Sequence, residues 1–234
     1  MKSARNISVL LVHGAWADGS SWSPVIRALQ RHGSKVIAAP MPLTSLEDDI
    51  AALQGAIERT EGPVVLAAHA YAGAVISGAK SQRLKGLCFI AALTPQEGET
   101  VAEVFYREPA HPQAPKLAPD SRGLIWLPDE AFGSAFAQNA PREQIGLLAA
   151  TQRPIGLPCI QQRATHAAWK TIPSWYLIAE EDRMINPATQ RFLARRMGAK
   201  TRSERVDHAP IATAPDLVTE VVLEAMRSVS ETDS

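Results

Sequence analysis

Short unbroken apolar runs alternate with longer stretches of helical spacing over the first part of the chain. Ile7 to Val12 is apolar and rich in β-branched residues apart from Ser8, with no sustained alternation, which predicts a strand covered on both faces, as in a parallel sheet. His13-Gly14-Ala15-Trp16 ends it. Ser20 or Ser21 then caps a predicted helix in which Trp22, Val25, Ile26 and Leu29 recur at helical spacing and Pro24 occupies the first turn. Gly33 stops that helix. Lys35 to Ala39 predicts a second strand, cut off by Pro40 and Pro42, and Ser45 opens a second helix with Asp48 three residues on, a loose form of capping box. Ile50, Leu53 and Ile57 mark its buried face. After Gly62-Pro63 come a strand over Val64 to Ala68, a tight turn of small residues, a small-residue helix and another apolar strand over Gly86 to Leu93.

From Thr94 to about Lys170 the pattern changes. Pro109, Pro112, Pro115 and Pro119 cluster, and amphipathic pieces over Asp129 to Gln138 and Arg142 to Ala150 stand where strands would. A long segment of this kind between two strands predicts an inserted helical cap. The sheet pattern resumes over Trp175 to Ala179, followed by a helix from about Pro187 to Met197, a strand near Lys200 to Val206, a final helix from about Pro215 to Val229, and a frayed tail, Ser230 to Ser234. The alternation predicts an α/β fold, a mostly parallel sheet flanked by helices. Residues 1–93 and 171–234 would form its core and residues 94–170 the cap.

Composition narrows the partners. With 234 residues, 46% of them hydrophobic, the chain can bury one large core with an inserted subdomain. Lys+Arg 24 equals Asp+Glu 24, so no strong field draws it to nucleic acid or an acidic membrane, and a small molecule is the expected partner. A homodimer stays open. Cys88 and Cys159 lie far apart without metal-ligand spacing, which predicts reduced, packed thiols. No apolar run approaches the ~20 residues that cross a bilayer, and residues 1–6 lead straight into the first strand, leaving no room for a signal peptide. A cytoplasmic protein is expected. His111 and His166 have no second ligand at metal spacing, so neither metal nor cofactor is expected.

In parallel sheets ligands bind beyond the carboxyl ends of the strands, and three such places carry chemistry. At His13-Gly14-Ala15-Trp16 the glycine lets the backbone turn and leaves the Ala15 N–H as an oxyanion donor. At Val64 to Gly73 a buried strand turns through small residues into a helix, the pattern of a nucleophile elbow. Its tip is Ala70, which has no nucleophilic atom, and the Tyr71 N–H behind it is the second oxyanion donor. Asp182 and His208 each follow a later strand, so tip, acid and histidine run in the order of an α/β-hydrolase triad. Histidine would move the proton while the carboxylate fixes its tautomer. Glu180, Glu181 and Asp207 compete for the acid's place; Asp207 adjoins His208 and is expected to point away from it.

Leu11-Val12-His13-Gly14-Ala15-Trp16, Trp22, Ala68-His69-Ala70-Tyr71-Ala72-Gly73, Glu181-Asp182-Arg183-Met184-Ile185 and Asp207-His208-Ala209-Pro210 resemble the small α/β-hydrolases related to plant methylesterases and hydroxynitrile lyases. That family's elbow reads Gly-His-Ser-x-Gly-Gly. The resemblance implies Ala70 at the nucleophile position, Asp182 as acid, His208 as base, and oxyanion donors at Ala15 and Tyr71. The lyases' threonine and lysine are absent at Gly14 and Ala209, which favours the esterase branch. Trp16, Trp126, Phe132, Phe136 and Trp169 are candidates to line an apolar substrate pocket, while His69 and His13 are expected to pack and order their loops. The expected function is a serine-hydrolase-type enzyme that cleaves a small, largely apolar ester or lactone through an acyl-enzyme. It would stand here in a nucleophile-deficient form, with an engineered alanine in place of a serine at the tip. A ligand-binding pseudo-hydrolase, or a cofactor-independent acid-base enzyme of lyase or oxygenase type using His208 and Asp182, are the alternatives.

Overall fold

Both faces of the central strands are buried, which is why their sequences read as unbroken apolar runs. The computed structural model describes residues 7–232. The chain begins with β1 (Ser8–Val12), α1 (Ser23–Arg31), β2 (Lys35–Ala39), α2 (Leu46–Glu58), β3 (Val64–His69), α3 (Ala72–Gly78) and β4 (Leu84–Ile90). Between β4 and the next strand of the sheet lie α4 (Val101–Phe105), β5 (Leu124–Ile125), α5 (Asp129–Ala131), α6 (Arg142–Ala150), β6 (Ile155–Gly156) and α7 (Leu157–Gln161). The chain then closes with β7 (Ser174–Ala179), α8 (Pro187–Met197), β8 (Lys200–Glu204), α9 (Pro210–Thr213) and α10 (Pro215–Thr232).

The main sheet has six strands in the order β2-β1-β3-β4-β7-β8, every neighbouring pair parallel. Alternate residues feed two cores. Val9, Leu11, Val65, Ala67, Trp175 and Leu177 pack with Val25, Leu29 and Val222 from α1 and α10. Leu10, Val12, Leu66, Ala68, Tyr176 and Ile178 pack with Leu53, Ile57, Ile76 and Leu193 from α2, α3 and α8. The edge strand β8 instead carries Lys200, Arg202 and Glu204, charges that discourage edge-to-edge pairing. From β1 the chain adds β2 on one side and β3 on the other, so the switch point of the sheet lies between β1 and β3, where open α/β sheets bind ligands.

Several boundaries differ from the sequence expectation. The first helix is preceded by a 3₁₀ turn, Gly19–Trp22, capped by Asp18 rather than by Ser20 or Ser21. The Asp18 carboxylate accepts from the Ser20 N–H at 2.8 Å, and α1 begins only at Ser23. Ser45 caps α2 as expected, accepting from the Asp48 N–H at 3.0 Å. β4 ends at Ile90 because Ala91, at φ 45°, turns the chain out of the sheet. The segment expected to be purely helical contains the antiparallel pair β5 and β6, and Asp129 to Gln138 is a short helix running into a π-helical turn, Phe132–Phe136. The last helix continues through Thr232, so Ser230 to Thr232 do not fray; residues 233–234, like residues 1–6, lie outside the described part. No helix of the described residues is long and apolar enough to cross a membrane.

Candidate active site

The elbow forms because three contacts clasp it. The Ala70 N–H donates to the Ile90 carbonyl at 3.1 Å, and the Ala70 carbonyl accepts from Leu93 N at 3.0 Å and Gly73 N at 3.1 Å. This holds Ala70 at φ 52°, a left-handed conformation costing a non-glycine residue about 1–3 kcal/mol. Two glycines are required around it. A Cβ on Gly73 would stand 2.5 Å from the Leu93 carbonyl oxygen, and one on Gly14 would stand 2.9 Å from the His69 carbonyl oxygen and 3.1 Å from the Ala70 methyl. Gly14 therefore lets the loop after β1 close onto the elbow, and a threonine there would force them apart. The N–H groups of Ala15 and Tyr71 donate to no protein acceptor among the described residues, as an oxyanion corner requires.

Trp16 is also left-handed, at φ 57°. Two bonds to the segment between β4 and β7 over-determine it: its N–H donates to the Arg153 carbonyl at 3.0 Å and its indole N–H to the Ile125 carbonyl at 3.0 Å. The loop that carries Ala15 is thus registered by the segment between β4 and β7 as well as by the sheet.

Asp182 and His208 come together as expected. The Asp182 carboxylate accepts four hydrogen bonds among the described residues: from Met184 N at 2.7 Å, Ile185 N at 2.8 Å, Gln190 Nε2 at 2.7 Å and His208 Nδ1 at 2.8 Å. A carboxylate only accepts, so His208 carries its proton on Nδ1, and Nε2 is left without a protein partner among the described residues. Gln190, from α8, also donates to the Ile185 carbonyl and accepts from Ala179 N, bracing the acid from both sides; no sequence pattern pointed to it. The competing carboxylates go elsewhere. Glu180 pairs with Arg191, and Glu181 with Arg205. Asp207 does point away from His208, but it is buried rather than a surface carboxylate. It accepts from Asn139 N at 2.9 Å and from the Thr213 hydroxyl, and burial raises its pKa against those bonds.

His69 packs behind this pair. Its Nε2–H donates to the His208 carbonyl at 2.7 Å, its ring centroid lies 4.9 Å from that of His208, and its Nδ1 has no partner among the described residues. Burial, with the neighbouring His208 adding, holds its pKa down to about 3. His13 Nδ1–H donates to the Gly14 carbonyl at 3.0 Å and is likewise held low by burial. Both are neutral ring donors that fix loops.

One cavity, partly open to solvent, joins the set. Ala15, Trp16, Ala70, Tyr71 and His208 line its core side; Val101, Phe105, Leu117, Ile125, Ile155 and Ile160 line the other. Tyr106, 65% exposed, marks the mouth. Among the described residues, no Lys, Arg, Asp or Glu lines it.

Of the aromatic candidates only Trp16 reaches this cavity. Trp126 is 43% exposed because it follows Ile125 in extended chain, and side chains alternate there; Ile125 takes the inner place. Phe132 and Phe136 are buried in the π-helical turn, with Phe136 edge-on to His208 at 5.1 Å and Phe132 5.3 Å from Phe136. They support the histidine from behind and do not line the cavity. Trp169 is buried against Arg196, whose guanidinium carbon lies 5.5 Å from its ring. Two further aromatic residues line the cavity without having been expected from the sequence, Phe105 and Tyr106. Their signal was Thr100-Val101-Ala102-Glu103, a full capping box with both reciprocal bonds present, which opens α4. Among the described residues no group of three or more His, Cys, Asp or Glu could hold a metal ion.

A parallel sheet with an elbow after its third strand, and a histidine held by a carboxylate after its last two, defines the α/β-hydrolase fold. The model of the alpha/beta hydrolase family matches residues 9–221, and the chain belongs to that family. It is 25% identical over 245 residues to the alpha/beta hydrolase nvfD of Aspergillus novofumigatus, covering 93% of this chain and 96% of that protein. Among solved structures it is similar to a pyrethroid hydrolase from Sphingobium faniae, with a TM-score of 0.81, 20% identity, and 96% and 99% of the two chains covered. It is also similar to polyneuridine aldehyde esterase, with a TM-score of 0.80, 16% identity, and 94% and 98% covered. At these identities the two structures speak for the fold alone.

Proposed function

We propose that this chain is an acid-base enzyme of hydrolase type that acts on a small, neutral, largely apolar ester or lactone without forming an acyl-enzyme. His208 takes a proton from water through Nε2 as that water attacks the substrate carbonyl. The Ala15 and Tyr71 N–H groups receive the charge that develops on the carbonyl oxygen. Asp182 holds the imidazole in the required tautomer and offsets its positive charge. His208 then returns the proton to the leaving alkoxide, and the acid departs with the oxygen of water.

The observation that carries this proposal is the Asp182 carboxylate, bound by four donors and holding His208 so that Nε2 stays free at a cavity whose tip residue is a methyl group. A receptor has no need of a histidine so firmly oriented. The retained strain at Ala70 has a use without a nucleophile, because the turn also aims the Tyr71 N–H. A hydrolase merely deprived of its serine is the second reading, supported by the Ala15 and Tyr71 N–H groups that donate to no protein acceptor among the described residues. Against it, the elbow departs from Gly-His-Ser-x-Gly-Gly at three positions, since Ala68 and Ala72 also replace glycine, and both are fully buried. A single serine replacement changes one position. The absence of charged groups from the lining favours uncharged substrates, since desolvating a charge there would go uncompensated.

The test uses the chain with Ala70 in place, on aryl esters, alkyl esters and lactones, with hydroxynitriles and β-oxo compounds included for direct proton transfer on substrate. Turnover should appear in the ester and lactone set, fall on the order of 10⁴-fold in His208→Ala, and leave no acyl adduct by intact mass. Turnover confined to hydroxynitriles or β-oxo compounds would move the chemistry to the lyase type. Turnover indifferent to His208→Ala, or tight binding of a neutral ligand with no turnover, would sink it. Ala70→Ser separates the second reading: a deprived hydrolase should gain burst kinetics and an acyl adduct.

A further inference from the structure

Besides Asp182 and Asp207, a third fully buried carboxylate lies under the elbow, and nothing in the chemistry above uses it. Asp49, in the first turn of α2, is without exposed surface. Its Oδ2 accepts from the Tyr71 hydroxyl at 2.7 Å and faces the Cys159 thiol at 3.7 Å; its Oδ1 accepts from Leu43 N at 2.7 Å. Each partner belongs to a different piece of the site. Tyr71 follows the elbow tip, and Cys159 sits in α7 beside Ile160 of the cavity wall. Leu43 is held at φ 60°, and its carbonyl accepts from Gly156 N at 2.8 Å, next to the lining residue Ile155. Position 156 has to be glycine, since a Cβ there would lie 2.8 Å from the Thr44 carbonyl oxygen.

We infer that Asp49 is a positioning residue that sets two things at once: the direction of the Tyr71 N–H, through the Tyr71 hydroxyl, and the register of β6 against the elbow, through Leu43. The geometry explains why a tyrosine follows the tip. Its ring spans from the oxyanion corner to α2 and converts a flexible turn residue into a strut, with a charge-assisted hydrogen bond at its far end. The inference rests on the reading of the Tyr71 N–H as an oxyanion donor.

Amide hydrogen exchange on the full-length ¹⁵N-labelled protein tests it without a substrate. The elbow turn is closed by Gly73 N to the Ala70 carbonyl and Ala74 N to the Tyr71 carbonyl, and β6 is tied by Gly156 N to the Leu43 carbonyl. Tyr71→Phe should speed exchange at Gly73 and Ala74 by about tenfold or more, relative to strand amides of β7, and leave Gly156 unchanged. Asp49→Ala should speed all three. Asp49→Asn can still accept from Leu43 N and bond to the phenol, so it should return each to within about threefold of the parent. Acceleration of every amide in parallel, or elbow amides unmoved in Tyr71→Phe, would overturn the inference and assign Asp49 a general stability role. Should Asp49→Ala not fold, Tyr71→Phe and Asp49→Asn still decide between these results. Failure of the acid-base chemistry itself would show instead in His208→Ala kinetics and would not alter this exchange pattern.

Discussion

Two buried carboxylates flank the reactive position, and they are built differently. Asp182 is saturated by donors, two of them backbone N–H groups of its own loop, and its partner is a histidine that can change protonation state. Asp49 has one backbone donor, and its partners are a phenol and a thiol that stay protonated. Burial, with the Asp49 charge adding, holds the Tyr71 phenol well above its ordinary range and pushes the Cys159 thiol up to about 12. Burial also raises the pKa of Asp49 itself, against the bonds from Tyr71, Leu43 and Cys159. The contrast separates two uses of a buried acid. In the proposed chemistry, one orients a group that moves protons; the other pins a group that must not move.

Substitutions at the two acids should therefore differ in size. Asp182→Asn keeps the shape but presents an amide that no longer fixes the His208 tautomer, and turnover should fall on the order of 10⁴-fold with KM little changed. A drop of tenfold or less would mean that His208 is not the proton-moving group.

Next in size is the acid response of the histidine behind the pair. In the unfolded chain His69 titrates near its ordinary value of 6.5, whereas the folded chain holds it down to about 3. Between those values the unfolded chain binds a proton that the folded chain refuses, so stability falls as pH drops through the window. The contribution reaches about 5 kcal/mol once pH is below both values. Asp49 and Asp207, with raised values, act in the opposite sense at the lower end of that window. His69→Gln, which retains a donor for the His208 carbonyl, should make urea-unfolding stability less steep between pH 6.5 and pH 4. An equally steep dependence in the variant would show that the acid response originates elsewhere.

At the second acid, Asp49→Asn should change turnover by less than about tenfold, since its hydrogen bonds with Leu43 N and the Tyr71 hydroxyl can be remade. A loss as large as that of Asp182→Asn would make the two corners equivalent and Asp49 a participant in the chemistry. The smallest effect belongs to Trp126→Ser, outside the cavity and partly exposed. Stability should stay within about 0.5 kcal/mol and KM should be unchanged; a KM shift would bring Trp126 into the substrate path.

The same two corners show how far a sequence can be read. Asp182 stood out because it follows a strand that its own apolar run announces; the charged edge strand before His208 has no such run, and there the order of tip, acid and histidine was the signal, the sheet delivering both strand ends to one rim. Asp49 lies on the helix face of Leu53 and Ile57, where the spacing places a side chain toward the core but does not say what meets a carboxylate there. Its burial is decided by Tyr71, Leu43 and Cys159, none of them its neighbour in helical spacing. Gln190 escaped notice for the same reason, and the cap aromatics were misassigned because a π-helical turn and a two-residue strand leave no period long enough to show which side faces inward.

By itself the sequence determined the order of strands and helices of the main sheet, the rim at which the site lies, and the alanine at the elbow tip. These follow from local periodicity and turn chemistry, which act within a few residues. Tertiary structure alone decided which side chains wall the cavity, what braces Asp182, and that a second carboxylate holds the elbow. Those depend on contacts between residues as far apart as Asp49 and Cys159, whose pairing leaves no trace in the spacing of either segment.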